Sequence, residues 1–132
     1  MRVENWPVIL AAEIQKARKR AFSFGRADCA LWAADVVQAI TGADPAAPWR
    51  GSYGDRHGAL KLLAQFGGLR EAATALLGEP IATSFAQRGD VVLLAGPEGY
   101  SLGICEGALL WAMGEEGIVS RPIGDAICAW RV

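Results

Sequence analysis

The sequence predicts an α+β domain, with helices first and a mainly antiparallel sheet of about five strands second. Two features of the 132 residues carry that prediction. Up to about residue 79, apolar residues recur at helical spacing. From Val91 onward, the chain breaks into short apolar runs divided by glycine-containing turns. Leu, Ile, Val and Phe together make about a quarter of the chain, enough at this length for one core and one domain. That single domain, 1–132, divides into an N-terminal helix and loop (1–27), a helical half (28–79) and a β half (80–132).

The first helix opens at Asn5 as N-cap with Pro7 in the first turn, and Trp6, Leu10, Ile14, Ala17 and Ala21 follow at helical intervals. Its lysines and arginines gather toward the C-terminal end, where the helix dipole favours cations. The second helix runs from Cys29 to Thr41, capped by Asp28 and closed by Gly42. Its sequence CALWAADVVQAI is apolar on nearly every face, which suits the middle of a fold. Residues 42–55 read as an ordered Gly/Pro-rich loop that Trp49 and Tyr53 can pin. Helices are then predicted over Arg56–Gln65 and Leu69–Leu77. Strands are predicted over Val91–Leu94, Tyr100–Cys105, Ala108–Met113, Ile118–Arg121 and Ala126–Val132, separated by GPEG, EG, GEEG and PIGD turns.

Several function classes fall at this stage. Net charge is −1 and charged residues make 20% of the chain, a poor fit to a nucleic-acid binder. The first 26 residues alone carry about +4, read as a solvated helix end or as a docking patch for an acidic partner or nucleic acid. The longest apolar runs, such as Val91–Ala95 and Ala108–Met113, are far short of the ~18 residues that span a bilayer, so no membrane insertion is expected. The N-terminus reaches Glu13 before any long apolar region, so no secretory signal is read. Three cysteines cannot all pair within one chain and none lies in a C-x-x-C, which points to assembly in a reducing environment.

Cys29 is the candidate nucleophile. It opens a buried helix directly after the Asp28 cap, where free backbone N–H groups and the dipole favour a thiolate over a thiol. The bland alternative is a small buried hydrophobe. Phe22, Phe24 and Gly25 precede it, as in a loop approaching a cleft. The only histidine, His57, stands just before the third predicted helix, either as a displaced base or as a surface residue. Cys29, Cys105, Cys128 and His57 resemble no zinc module in their spacing, and neither a G-x-G-x-x-G nor a phosphate loop occurs, so no metal or cofactor is expected. Arg88-Gly89-Asp90 spells an integrin-type tripeptide but reads as a turn before a strand. Trp32, Trp111 and Trp130 are expected to close the core, whereas Trp6 and Trp49 could mark a partner-facing surface.

Three stretches, in this order, resemble the NlpC-type cysteine peptidases, a compact papain-like fold: Phe24-Gly25-x-x-Asp28-Cys29 before a long apolar helix, Arg88-Gly89-Asp90-Val91-Val92-Leu93-Leu94, and Leu102-Gly103-Ile104 followed by Glu106-Gly107. The resemblance implies that Cys29 holds the nucleophile position. It also implies a catalytic histidine directly before the apolar-Gly-apolar triplet, where this chain has Ser101. A serine is no base near neutral pH, and without one a thiol is only a few per cent ionised. No polar residue that would orient such a histidine stands around Leu110-Trp111-Ala112.

Further stretches resemble small NlpC-like proteins of phage, prophage and gene-transfer-agent tails: Thr41–Asp44, Gly67-Gly68, Ala86–Val92 and Ala129–Arg131. That resemblance implies a virion-tail protein assembled in the bacterial host cytoplasm. It would be a structural or adaptor component built on a degenerate peptidase fold, with other tail-tip or hub proteins as partners. The alternative is an active amidase or endopeptidase that cleaves peptidoglycan peptides. A third reading is a binding module for cell-wall peptide that kept the cleft and lost the chemistry.

Overall fold

A computed structural model describes residues 1–97 and 99–132. It is α+β, with four helices leading into a five-stranded antiparallel sheet. Helix α1 (Trp6–Ala17) and the central helix α2 (Cys29–Thr41) come first, then α3 (Arg56–Ala64) and α4 (Leu69–Leu77). Strands β1 (Val91–Gly96), β2 (Gly99–Glu106), β3 (Leu109–Gly114), β4 (Gly117–Pro122) and β5 (Ala126–Trp130) complete the chain. The strand order is β4-β3-β2-β1-β5, so a four-stranded meander is closed by β5 returning beside β1. Among the described residues no helix is long and apolar enough to cross a membrane.

The core follows from strand alternation. Val91, Leu93, Leu102, Ile104, Met113, Cys128 and Trp130 pack against α1, α2 and α4. Val92, Leu94, Cys105, Leu110, Ala112 and Ala129 form a second cluster, covered by Ile81, Ala86 and Ile123. The α2 sequence explains its central place. Leu31, Trp32, Ala33, Ala34, Val36, Val37 and Ile40 are all buried, and alanines let its backbone come close to its neighbours. The Asp28 cap and the Gly42 end stand where the sequence places them.

Helix α1 ends at Ala17 rather than continuing to Ala21, which is exposed. The local sequence favours helix, but tertiary pairing overrides it. The Arg18 guanidinium lies 5.3 Å from the Trp111 ring centroid. Arg20 bonds Asp35 of α2 at 2.5 Å and the Arg26 carbonyl at 3.3 Å, which draws the chain off the helix axis. The basic stretch is therefore largely used within the chain, since Lys16 also pairs with Glu13 and Arg2 with Asp90.

The tryptophan expectations need one correction. Trp32 and Trp130 are buried and Trp111 packs on the core as expected. Trp49 is buried too, among Leu31, Ala34, Ala46 and Ala72, so it pins the 42–55 loop and presents no partner-facing surface. Trp6 is half-buried under Arg2, 4.2 Å from its ring centroid.

Candidate functional site

The site begins with a tight turn. Ser23 and Ala27 bridge to each other, and Gly25 between them takes φ +82°. A Cβ at Gly25 would lie 1.9 Å from the Tyr53 carbonyl oxygen, so only glycine fits. This close approach brings the 42–55 loop onto the turn, and the Gly51 N–H donates to the Gly25 carbonyl at 3.0 Å.

Asp28 ties the turn to α2. Its Oδ1 accepts from the Leu31 N–H at 2.9 Å, the expected N-cap bond. Its Oδ2 accepts from the Gly25 N–H at 3.0 Å and from the Tyr53 hydroxyl at 2.5 Å. The carboxylate is 4% exposed, with two local bonds and one to a residue 25 positions away. Burial, and next the bond to Asp28, push the Tyr53 phenol well above its ordinary range, so Tyr53 stays protonated and donates. Sequence reasoning gave Tyr53 only a pinning role. Its partnership with Asp28 spans 25 residues, and no spacing rule reports it.

Cys29 follows at the first turn of α2, half-buried, on a cleft of about 550 Å³. One wall is the Phe22/Phe24 pair, whose rings meet edge to face at 4.8 Å. Another part of the lining comes from α3 and the loop before it, with Tyr53, Arg56, Ala59 and Leu60. Tyr100, Ser101 and the β3–β4 hairpin form the sheet side. Arg56 reaches from α3 to the hairpin, where its Nη2 bonds Glu115 Oε1 at 2.7 Å. The apolar lining from Leu60, Leu63, Tyr100 and Val119 was not foreseen, because these residues come from three separate elements, α3, β2 and β4.

The thiol's surroundings set its chemistry. Burial pushes Cys29 above the ordinary thiol range, and the neighbouring Asp28 charge pushes the same way. The Leu102 amide, the Ser101 hydroxyl and the Ala30 amide favour the anion without reversing the balance. Ser101 thus stands beside the Cys29 sulfur, where the sequence resemblance puts a histidine. His57 is exposed on the first turn of α3 and is not among the residues lining the cleft, so the fold does not bring it to Cys29. Gly103 keeps the strand beside Ser101 close to β3, since a Cβ there would sit 2.7 Å from the Trp111 carbonyl oxygen.

The other cysteines lie apart. Cys105 is buried in the outer cluster with its Sγ toward the Gly107 carbonyl, and Cys128 faces the helices. Asp90 of the Arg-Gly-Asp turn is 1% exposed. It accepts from Arg2 Nη2 and the Val132 N–H, both at 3.0 Å, and from the Gln87 N–H at 2.8 Å. This carboxylate is a structural clasp and does not face solvent.

No curated protein and no solved structure matches the chain. A family model described as a domain of unknown function, DUF6950, matches residues 1–132, and the chain belongs to that family.

Proposed function

We propose that this chain is a non-catalytic domain of the papain-like, NlpC type that serves as a structural or adaptor component of a phage-type tail tip. One observation carries the non-catalytic half. The group beside the Cys29 sulfur is the Ser101 hydroxyl, which is no base, and burial holds the thiol protonated. A protonated thiol is a weak nucleophile, and with a serine there nothing protonates a leaving amine. The tail assignment, with hub and tip proteins as partners, is supported by the motifs Phe24–Cys29, Thr41–Asp44, Ala86–Val92 and Ala129–Arg131 and their resemblance to small tail-associated proteins.

The test is mass spectrometry of purified tail particles together with a Cys29→Ala variant. The expected result is a fixed stoichiometry of the chain in particles, with variant particles that assemble and infect as the wild type does. Absence from particles sinks the tail assignment, and loss of infection in the variant sinks the non-catalytic one.

A second reading, an amidase or endopeptidase acting on peptidoglycan peptides with Cys29 as nucleophile, draws on the open cleft that keeps Cys29 on its surface. Muropeptide hydrolysis that Cys29→Ala abolishes would establish it. An unchanged muropeptide profile in the presence of the wild-type protein would remove it.

A further inference from the structure

A sheet edge exposes a row of N–H and C=O groups that natural proteins guard or use. The two edges of this sheet are treated differently. On the β5 side Ile81 forms a two-bond bridge: its N–H donates to the Ala129 carbonyl at 2.7 Å, and the Ala129 N–H returns a bond at 3.0 Å. At the other end, β4 bonds to β3 alone among the described residues.

The register fixes which groups of β4 point outward. Pro122 lies opposite Leu109, and the Ile123 N–H donates to the Ala108 carbonyl at 2.9 Å, so Pro122/Leu109 is a non-hydrogen-bonded pair. By alternation Gly117, Val119 and Arg121 turn their backbone groups toward β3. The N–H and C=O of Ile118 and Ser120, and the C=O of Pro122, face away from the sheet.

We propose that two copies of this chain pair antiparallel through β4, with Val119 opposite Val119 of the partner across a two-fold axis. In that register the Ile118 N–H donates to the partner's Ser120 carbonyl, and the Ser120 N–H to the partner's Ile118 carbonyl. Symmetry repeats both bonds. Val119, 43% exposed, meets its mate in a non-hydrogen-bonded pair, where side chains come closest.

Charge selects a second copy as the occupant. Glu115 and Glu116 precede the strand and Arg121 lies near its end, so the strand is acidic at one end and basic at the other. Antiparallel self-pairing sets Arg121 opposite the partner's Gly117, beside the partner's acidic turn. Parallel pairing would set Arg121 against Arg121 instead. Because Gly117, Val119 and Arg121 also line the cleft, the dimer would place the two clefts side by side. The inference stands whether or not Cys29 reacts.

Sedimentation equilibrium of the full chain over a range of concentrations is the test. A mass twice 14.0 kDa is expected at high concentration. Ser120→Pro removes an outward N–H that β3 does not use, and proline is tolerated at such an edge position. It should leave a folded monomer, verified by circular dichroism. Arg121→Glu should raise the dissociation constant at least about tenfold, and adding Glu116→Lys should restore it. That charge-swap pair decides the matter if the proline variant fails to fold. A monomer at every concentration overturns the proposal, as does a dimer indifferent to the charge swap. So does a monomer whose β4 edge pairs only with a strand from a different protein.

Discussion

At the level of single residues, the turn before Cys29 is over-determined. Gly25 has two independent reasons to be glycine, its φ of +82° and the Tyr53 carbonyl that would lie 1.9 Å from a side chain. Gly25→Ala is therefore expected to cost on the order of 3 kcal/mol, summing backbone strain and a clash with rigid main chain. Urea unfolding measures it, and a change below about 1 kcal/mol would mean that the loop is not held against the turn. The Asp28 cap and the Cys29 position were legible in the sequence, because both follow from local helix-start chemistry. The cap's third partner, Tyr53, was not, since it arrives through a tertiary approach of a loop whose order depends on buried Trp49. The absence of a base was legible only through resemblance. The structure adds that Ser101 meets the sulfur and that His57 lies outside the cleft lining.

At the level of elements, the 42–55 loop is fixed to α2 by an alternating chain of charges. Arg20 and Arg50 both bond Asp35, and Arg50 also holds Asp44 through Nε at 2.7 Å and Nη2 at 3.2 Å. The Arg50 hydrogen bonds keep the Asp44 carboxyl below the usual carboxylate range. The folded state thus favours the ionised form. Its contribution is complete above the unfolded-state value of about 3.9 and is lost as pH falls through the lower folded value. Asp44→Asn should lower the urea midpoint near neutral pH and flatten its fall below about pH 5. An acid limb that superimposes on the wild type would show that this pair does not hold the loop. The same Arg20 contact explains the early end of α1. Helix propensity extended that helix to Ala21, and no local rule reports an arginine recruited by a neighbouring helix.

At the level of the whole molecule, the α+β order and all five strands could be read from the change of apolar period and the glycine turns. The strand order could not, because β5 returns to β1 through pairings far apart in sequence. One clasp joins the two ends of the fold. Arg2 donates to the Arg88 carbonyl, the Val132 carbonyl and buried Asp90, which also accepts from the Val132 N–H. Arg2→Ala leaves a 1%-exposed carboxylate without its cation, though with its two backbone donors, and should cost about 2–3 kcal/mol. Thermal unfolding checks this, and an unchanged midpoint would show the clasp to be incidental.

On the proposed reading, the fold keeps the place of a nucleophile without its activation. The most direct test is the pH dependence of Cys29 alkylation, followed by mass spectrometry with Cys105 and Cys128 as internal controls. Burial raises all three thiols, so in the folded chain Cys29 should react more slowly at neutral pH than in the unfolded chain. Its rate should climb only above the ordinary thiol range of about 8.5. A rate that is fast and already level below neutral pH, and lost in His57→Ala, would contradict the account and restore a thiolate–imidazole pair.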